Sequence, residues 1–148
     1  MTLETKIQIE ALKALEKNKY KPAFAEDENF VYLTVNGYYA YRIPKQYFYL
    51  NRDSINHNTS FASGFSPIML DRAYRLTVTD TMQKLENGKV LTVLRSEKFN
   101  SAINSDHLKL LTLNGCELYA KSEKSAICFV AGGDIYAICM PVMLRKAD

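Results

Sequence analysis

The chain has 148 residues, 47% of them apolar and 24% charged, with a net charge of +3. That is the make-up of one globular domain with a real core, and it is less basic than a dedicated DNA-binding domain. No stretch approaches the roughly 18 apolar residues of a membrane span, and the start "MTLETKIQIE" lacks a signal-peptide core, so no membrane contact and a cytoplasmic location are expected.

Residues 2–18, "TLETKIQIEALKALEKN", have the period of an amphipathic helix. Ile7, Ala11, Ala14 and Leu15 form its apolar stripe, extended by Leu3, and Thr5 with Gln8 fits a capping box. Lys6, Glu10, Lys13 and Lys17 share a second face. Such a face is either simply solvated or able to track a nucleic-acid backbone.

An acidic segment containing Pro22 separates this helix from "FVYLTVNGYYAYRI", two strand-like runs around Asn36-Gly37. Asn-Gly is the strongest short hairpin signal, and Val31, Leu33 and Val35 should share one face. Tyr38, Tyr39, Tyr41, Tyr47 and Tyr49 crowd beside Arg42, Lys45 and Arg52. Tyrosine is a good strand residue, and aromatics among cations can also stack bases. Residues 51–67 are polar and rich in Gly and Ser, reading as a long loop that carries His57.

A second strand pair is expected around Glu86-Asn87-Gly88. A short helix follows in "NSDHLKLLTLNG", residues 104–115, capped by Asn104 or Ser105, lined by Leu108, Leu111 and Leu113 and ended by Gly115. The chain then closes on three strands. Gly132-Gly133-Asp134 makes the last turn, and Pro141 marks a strand edge or end.

The three cysteines, Cys116, Cys128 and Cys139, are odd in number and match no zinc spacing. They read as buried small hydrophobes. Neither His57 nor His107 has a partner at catalytic or ligand spacing. Phosphate-loop, dinucleotide, zinc-protease and nucleophile-elbow motifs are all missing. The expectation is no catalytic residue, no metal and no cofactor.

The order helix, strands, short helix, three strands predicts an α+β fold with one helix and a small antiparallel sheet in each half. In that order, "FNSAINSDHLKLLTLNGCELYAKSEKSAICFVAGGDIYAICMPVML" resembles the last half-domain of the bacterial beta sliding clamp, which closes on a strand near Met-Pro-Val. The opening helix and "LTVNGYYAYRIP" are similar to that family's first helix and its Asp-Gly-Tyr segment. The resemblance implies a single clamp-like domain over 1–148, two helices packed on two small antiparallel sheets. It implies a non-enzymatic protein that binds double-stranded DNA without reading sequence, through Lys6, Lys13, Lys17 and Lys109. It also implies a pocket for an apolar partner peptide, from replication or repair, made of Gly37, Tyr38, Ile138, Met140, Pro141 and Val142. A six-domain ring would need a homo-oligomer of six copies. The chain departs from the family in having Met143 where an Arg is usual before the closing Leu144, and Glu10 among the lysines.

Two other readings stand beside this one. The first is a monomeric or dimeric protein-interaction module, of phage or mobile-element origin, that keeps the fold without encircling DNA. The second is a small-ligand binder or enzyme that uses the Tyr-rich hairpin and the 50–66 loop.

Overall fold

The computed structural model describes residues 1–17, 21–65 and 71–143. Asn18 at the end of the predicted helix, Ser66 and Pro67 at the end of the predicted loop, and Leu144 lie outside the described residues. The class is α+β, and the chain divides into two compact units, Met1–Ser66 and Pro67–Asp148. Among the described residues no helix is long and apolar enough to cross a membrane.

The first unit opens with α1 (Leu3–Lys17), which buries Ile7, Ala11 and Ala14 as the stripe predicts. Its start differs from expectation. The Thr2 hydroxyl accepts from the Thr5 N–H at 3.3 Å, so the cap lies three residues before the predicted Thr5–Gln8 box. Gln8 is instead a core residue, 4% exposed.

After α1 come β1 (Ala23–Glu26), β2 (Phe30–Thr34) and β3 (Tyr39–Pro44), an antiparallel meander. The acidic segment supplies the first turn: the Asp27 carboxylate accepts from the N–H groups of Asn29 and Phe30, an Asx-type turn. Asn36-Gly37 supplies the second. Gly37 sits at φ 81°, a conformation that costs glycine no steric strain. Val31, Leu33 and Val35 are buried as the alternation requires, while Tyr32 is half-buried. Helix α1 packs against β3.

The predicted 51–67 loop is more ordered than its composition suggests. It forms a 3-10 turn at Arg52–Ser54, a two-residue strand β4 (Asn56–His57) and a 3-10 segment at Ser60–Phe65. Strand β4 pairs in parallel with β1, giving the order β4-β1-β2-β3. This sheet is therefore mixed rather than purely antiparallel. Asx turns at Asn51 and Asn58 provide the local order that apolar periodicity could not signal.

The second unit contains β5 (Arg75–Lys84), β6 (Val90–Arg95), β7 (Asn100–Asn104), α2 (Ser105–Leu111), β8 (Glu117–Tyr119), β9 (Ile127–Ala131) and β10 (Asp134–Cys139). Their order is β10-β9-β8-β5-β6-β7, and the registers are antiparallel. Strand β5 serves two neighbours, with Arg75 and Leu76 on β8 and the stretch from Thr77 to Lys84 on β6. Strand β7 is absent from the sequence reading. Its Ser and Asn residues carry no strand signal, yet Ser101, Ala102 and Ile103 are buried.

Asn104 caps α2, its carboxamide oxygen accepting from the Asp106 N–H at 2.9 Å. The helix ends at Leu111 with Thr112 as its cap, so Gly115 belongs to the following turn and does not terminate it. Gly132 and Gly133, at φ 59° and 83°, close a two-residue hairpin between β9 and β10. Both positions are left-handed, as a type I′ turn demands. Strand β10 ends at Cys139, before Pro141, as a residue without an N–H requires.

Candidate functional site

Helix α1 holds Lys6, Lys13 and Lys17 exposed on a flank away from its buried stripe. At about 1.5 Å of rise per residue the outer two stand roughly 16 Å apart along the axis. Glu10 lies in the same row, and its carboxylate reaches the Lys13 ammonium at 3.5 Å. Both partners are well exposed, so the pair adds little to stability, but it offsets the charge at the centre of the row. Lys109 is exposed on α2, in the second unit.

The tyrosines of the first unit divide. Tyr39 and Tyr41 are core residues, 5% and 3% exposed, while Tyr38, Tyr47 and Tyr49 are 53%, 50% and 73% exposed. The cations beside them are engaged internally. Glu26 binds Arg52 at 2.7 Å and Lys45 at 3.3 Å. Arg42 lies 4.2 Å from the centre of the Phe30 ring, and Arg52 lies 5.0 Å from that of Phe48. The Arg52 hydrogen bond, with help from Lys45, holds the Glu26 carboxyl below its usual range. These contacts brace the unit, although the three cations have the one Glu26 carboxylate among them and a net positive charge remains.

Two polar anchors in this unit escaped the sequence reading. The Gln8 carboxamide donates to the Tyr47 carbonyl at 2.8 Å and accepts from the Tyr49 N–H at 2.7 Å. It thereby ties the 47–49 segment to α1. The Tyr32 hydroxyl donates to Asp27 at 2.6 Å. Burial and that carboxylate push the Tyr32 phenol up to about 12, while the same bond keeps the Asp27 carboxyl low.

The residues expected to form a peptide pocket are distributed over both units. Gly37 and Tyr38 are exposed in the first. In the second, Ile138 is 8% exposed and is a core residue of β10, whereas Met140 is 47% exposed. Pro141 and Val142 are half-buried, and the Val142 N–H donates to the Ala102 carbonyl at 2.9 Å, which fixes the Met-Pro-Val segment beside β7.

Folding brings His107 and Cys139 together, which their separation in the chain hid. The thiol lies 3.8 Å from the imidazole Nδ1. Burial pushes the Cys139 thiol up to about 12, and burial also lowers His107. Both shifts favour the neutral forms, the reverse of an activated thiolate–imidazolium pair. Cys128 is likewise raised by burial to about 11, and all three cysteines are unbridged. His57 packs edge-on against Phe24 at 5.3 Å. Among the described residues no cluster of His, Cys, Asp and Glu could hold a metal ion.

In the second unit Tyr136 performs a job similar to that of Gln8. A register shift between Ile135 and Ala137 marks it as a bulge residue. Its hydroxyl donates to the Leu111 carbonyl at 2.7 Å and accepts from the Leu113 N–H at 3.1 Å, closing the end of α2. Comparison with protein-family models, curated proteins and solved structures gave no match.

Proposed function

We propose that this chain is a non-enzymatic clamp-fold protein that holds duplex DNA without reading its sequence and docks partner proteins. The observation that carries the reading is a repeated order of elements. In each unit a helix is followed by a three-stranded antiparallel meander, α1-β1-β2-β3 and α2-β8-β9-β10. Such a repeat is what a clamp domain with internal two-fold pseudo-symmetry would have, and each helix carries exposed lysine. Lys6, Lys13 and Lys17 of the first unit and Lys109 of the second would meet phosphates, and in the second unit Met140 would offer adaptable apolar contact to a peptide.

The test combines solution mass with DNA binding. A ring reading expects about six chains per particle, since each contributes one clamp-like domain. It expects duplex affinity to fall with a log–log salt slope of about −0.9 per phosphate contact, and to be lost when Lys6, Lys13 and Lys17 become Glu. A monomer whose weak duplex binding is indifferent to those substitutions sinks it. The Glu10–Lys13 pair favours a second reading, a monomeric or dimeric module that engages protein partners alone. A monomer or dimer without duplex affinity would select it.

A further inference from the structure

The second unit carries a charged cavity that the clamp reading does not use. It has a volume of about 420 Å³ and is lined by Arg72, Arg75, Thr77, Thr79, Arg95, Ser96 and Glu97. Strand geometry builds it. Thr77 lies directly across from Arg95 in the β5–β6 register, and Arg75 is two residues back on the same face. Leu76 and Leu94 turn the other way and are buried, 4% and 0% exposed, so the sheet behind the arginines is anchored. Arg72 comes from the 3-10 turn Arg72–Tyr74 that precedes β5, capped by Asp71.

Three arginines meet two carboxylates here, Glu97 in the lining and Glu117 beside Arg75, which leaves one positive charge in excess. Arg75 reaches Glu117 at a loose 3.6 Å, with both side chains 40% or more exposed. Glu97 is the one carboxylate in the lining, and Arg72 and Arg95 form no ion pair among the described residues. The hydroxyls of Thr79 and Ser96 already donate, to the carbonyls of Val93 and Phe99, which leaves Thr77 as the hydroxyl placed to donate outward. This contrasts with the first unit, where Glu26 holds both Lys45 and Arg52. Two guanidinium forks without an ion pair, lining one cavity with the Thr77 hydroxyl, can hold the oxygens of a phosphate by paired hydrogen bonds.

We propose that this cavity binds a phosphate ester, with Arg72 and Arg95 gripping its oxygens and Thr77 donating a third hydrogen bond. That chemistry has two sources, the terminal phosphates of a nucleotide and the phosphodiester of a nucleic-acid strand. The full chain is titrated with inorganic pyrophosphate, and separately with a single-stranded oligodeoxynucleotide bearing no terminal phosphate. Binding is followed by calorimetry in wild type, in Arg72→Ala/Arg95→Ala and in Arg72→Lys/Arg95→Lys. The expected result is binding of at least one probe, weakened roughly tenfold or more in the alanine variant and less in the lysine variant, which keeps charge but loses the fork. Pyrophosphate binding identifies the nucleotide source, and oligonucleotide binding alone identifies the strand. With pyrophosphate as the probe, the α1 lysine-to-Glu variant should lose far less affinity than Arg72→Ala/Arg95→Ala, so this site and the duplex-binding reading fail separately. No binding of either probe by about 1 mM, equal binding by wild type and alanine variant, or loss that follows the α1 lysines would overturn the proposal.

Discussion

The two units solve one problem from opposite sides. In the first, a helix side chain, Gln8, reaches out to satisfy the backbone of the 47–49 segment. In the second, a strand side chain, Tyr136, reaches out to satisfy the backbone at the end of a helix. Each unit places one polar group among apolar neighbours where its hydrogen bonds join helix to sheet or loop. Their charge differs as well: Lys45 and Arg52 of the first unit are tied to Glu26, whereas Arg72 and Arg95 of the second form no ion pair among the described residues, although Glu97 lines the same cavity. Similar element order therefore does not mean similar surface chemistry, because exposed residues are not constrained by the packing that both units share.

The largest expected effect comes from opening a core. Phe129 is fully buried in β9, and Phe129→Ala should cost about 3–5 kcal/mol, read as a lower urea midpoint. Hydrogen exchange then sharpens the comparison. Faster exchange confined to second-unit amides would show that the units open separately, and uniform acceleration would show one cooperative block.

Removing the anchors comes next. Gln8→Ala and Tyr136→Phe should each cost about 1–3 kcal/mol, since each strands backbone groups whose partner is lost. Faster amide exchange should appear at Tyr49 for the first and at Leu113 for the second. Equal exchange at both places in both variants would break the parallel between them.

Acid should act on the first unit through a smaller effect. Hydrogen bonds from Arg52 to Glu26 and from Tyr32 to Asp27 hold these carboxyls below their ordinary values of 4.5 and 3.8. A depressed carboxyl stabilises the fold above its unfolded value, and that contribution is lost as pH falls through the folded value. The melting temperature should therefore drop on acidification below about pH 4.5, less so in Asp27→Asn. At the other limb, thiols of the second unit raised to about 11 and 12 contribute stability below their ordinary value of 9.0. That part is lost as pH rises through 11–12, a loss that Cys139→Ala should reduce.

The smallest effect is expected at Ser101, whose buried hydroxyl has no hydrogen-bond partner among the described residues. Ser101→Ala should leave stability within about 0.5 kcal/mol or raise it, because no bond is lost and a desolvated polar group is removed. A clear loss of stability would mean that the hydroxyl is satisfied after all.

Local signals in the sequence specify much of the secondary structure. Residues 3–17 repeat apolar positions at helical spacing, Val31, Leu33 and Val35 alternate, and Asn36-Gly37, Asn87-Gly88 and Gly132-Gly133 punctuate hairpins. Each works within a few residues, where backbone sterics and periodicity act without distant partners. Strand β7 was missed because its Ser and Asn side chains carry no such periodicity, and β4 because two residues are too few for one.

Tertiary structure alone decided the rest. It turned Gln8 from a cap into a core anchor, brought His107 to Cys139, buried Ile138 and aligned Arg95 with Thr77. The three pairings among these join residues more than a dozen positions apart. Sequence determined which segments would be helix or strand, since those preferences are local. Which polar groups would meet, and which charges would be left facing water, depended on long-range packing that no short window of sequence contains.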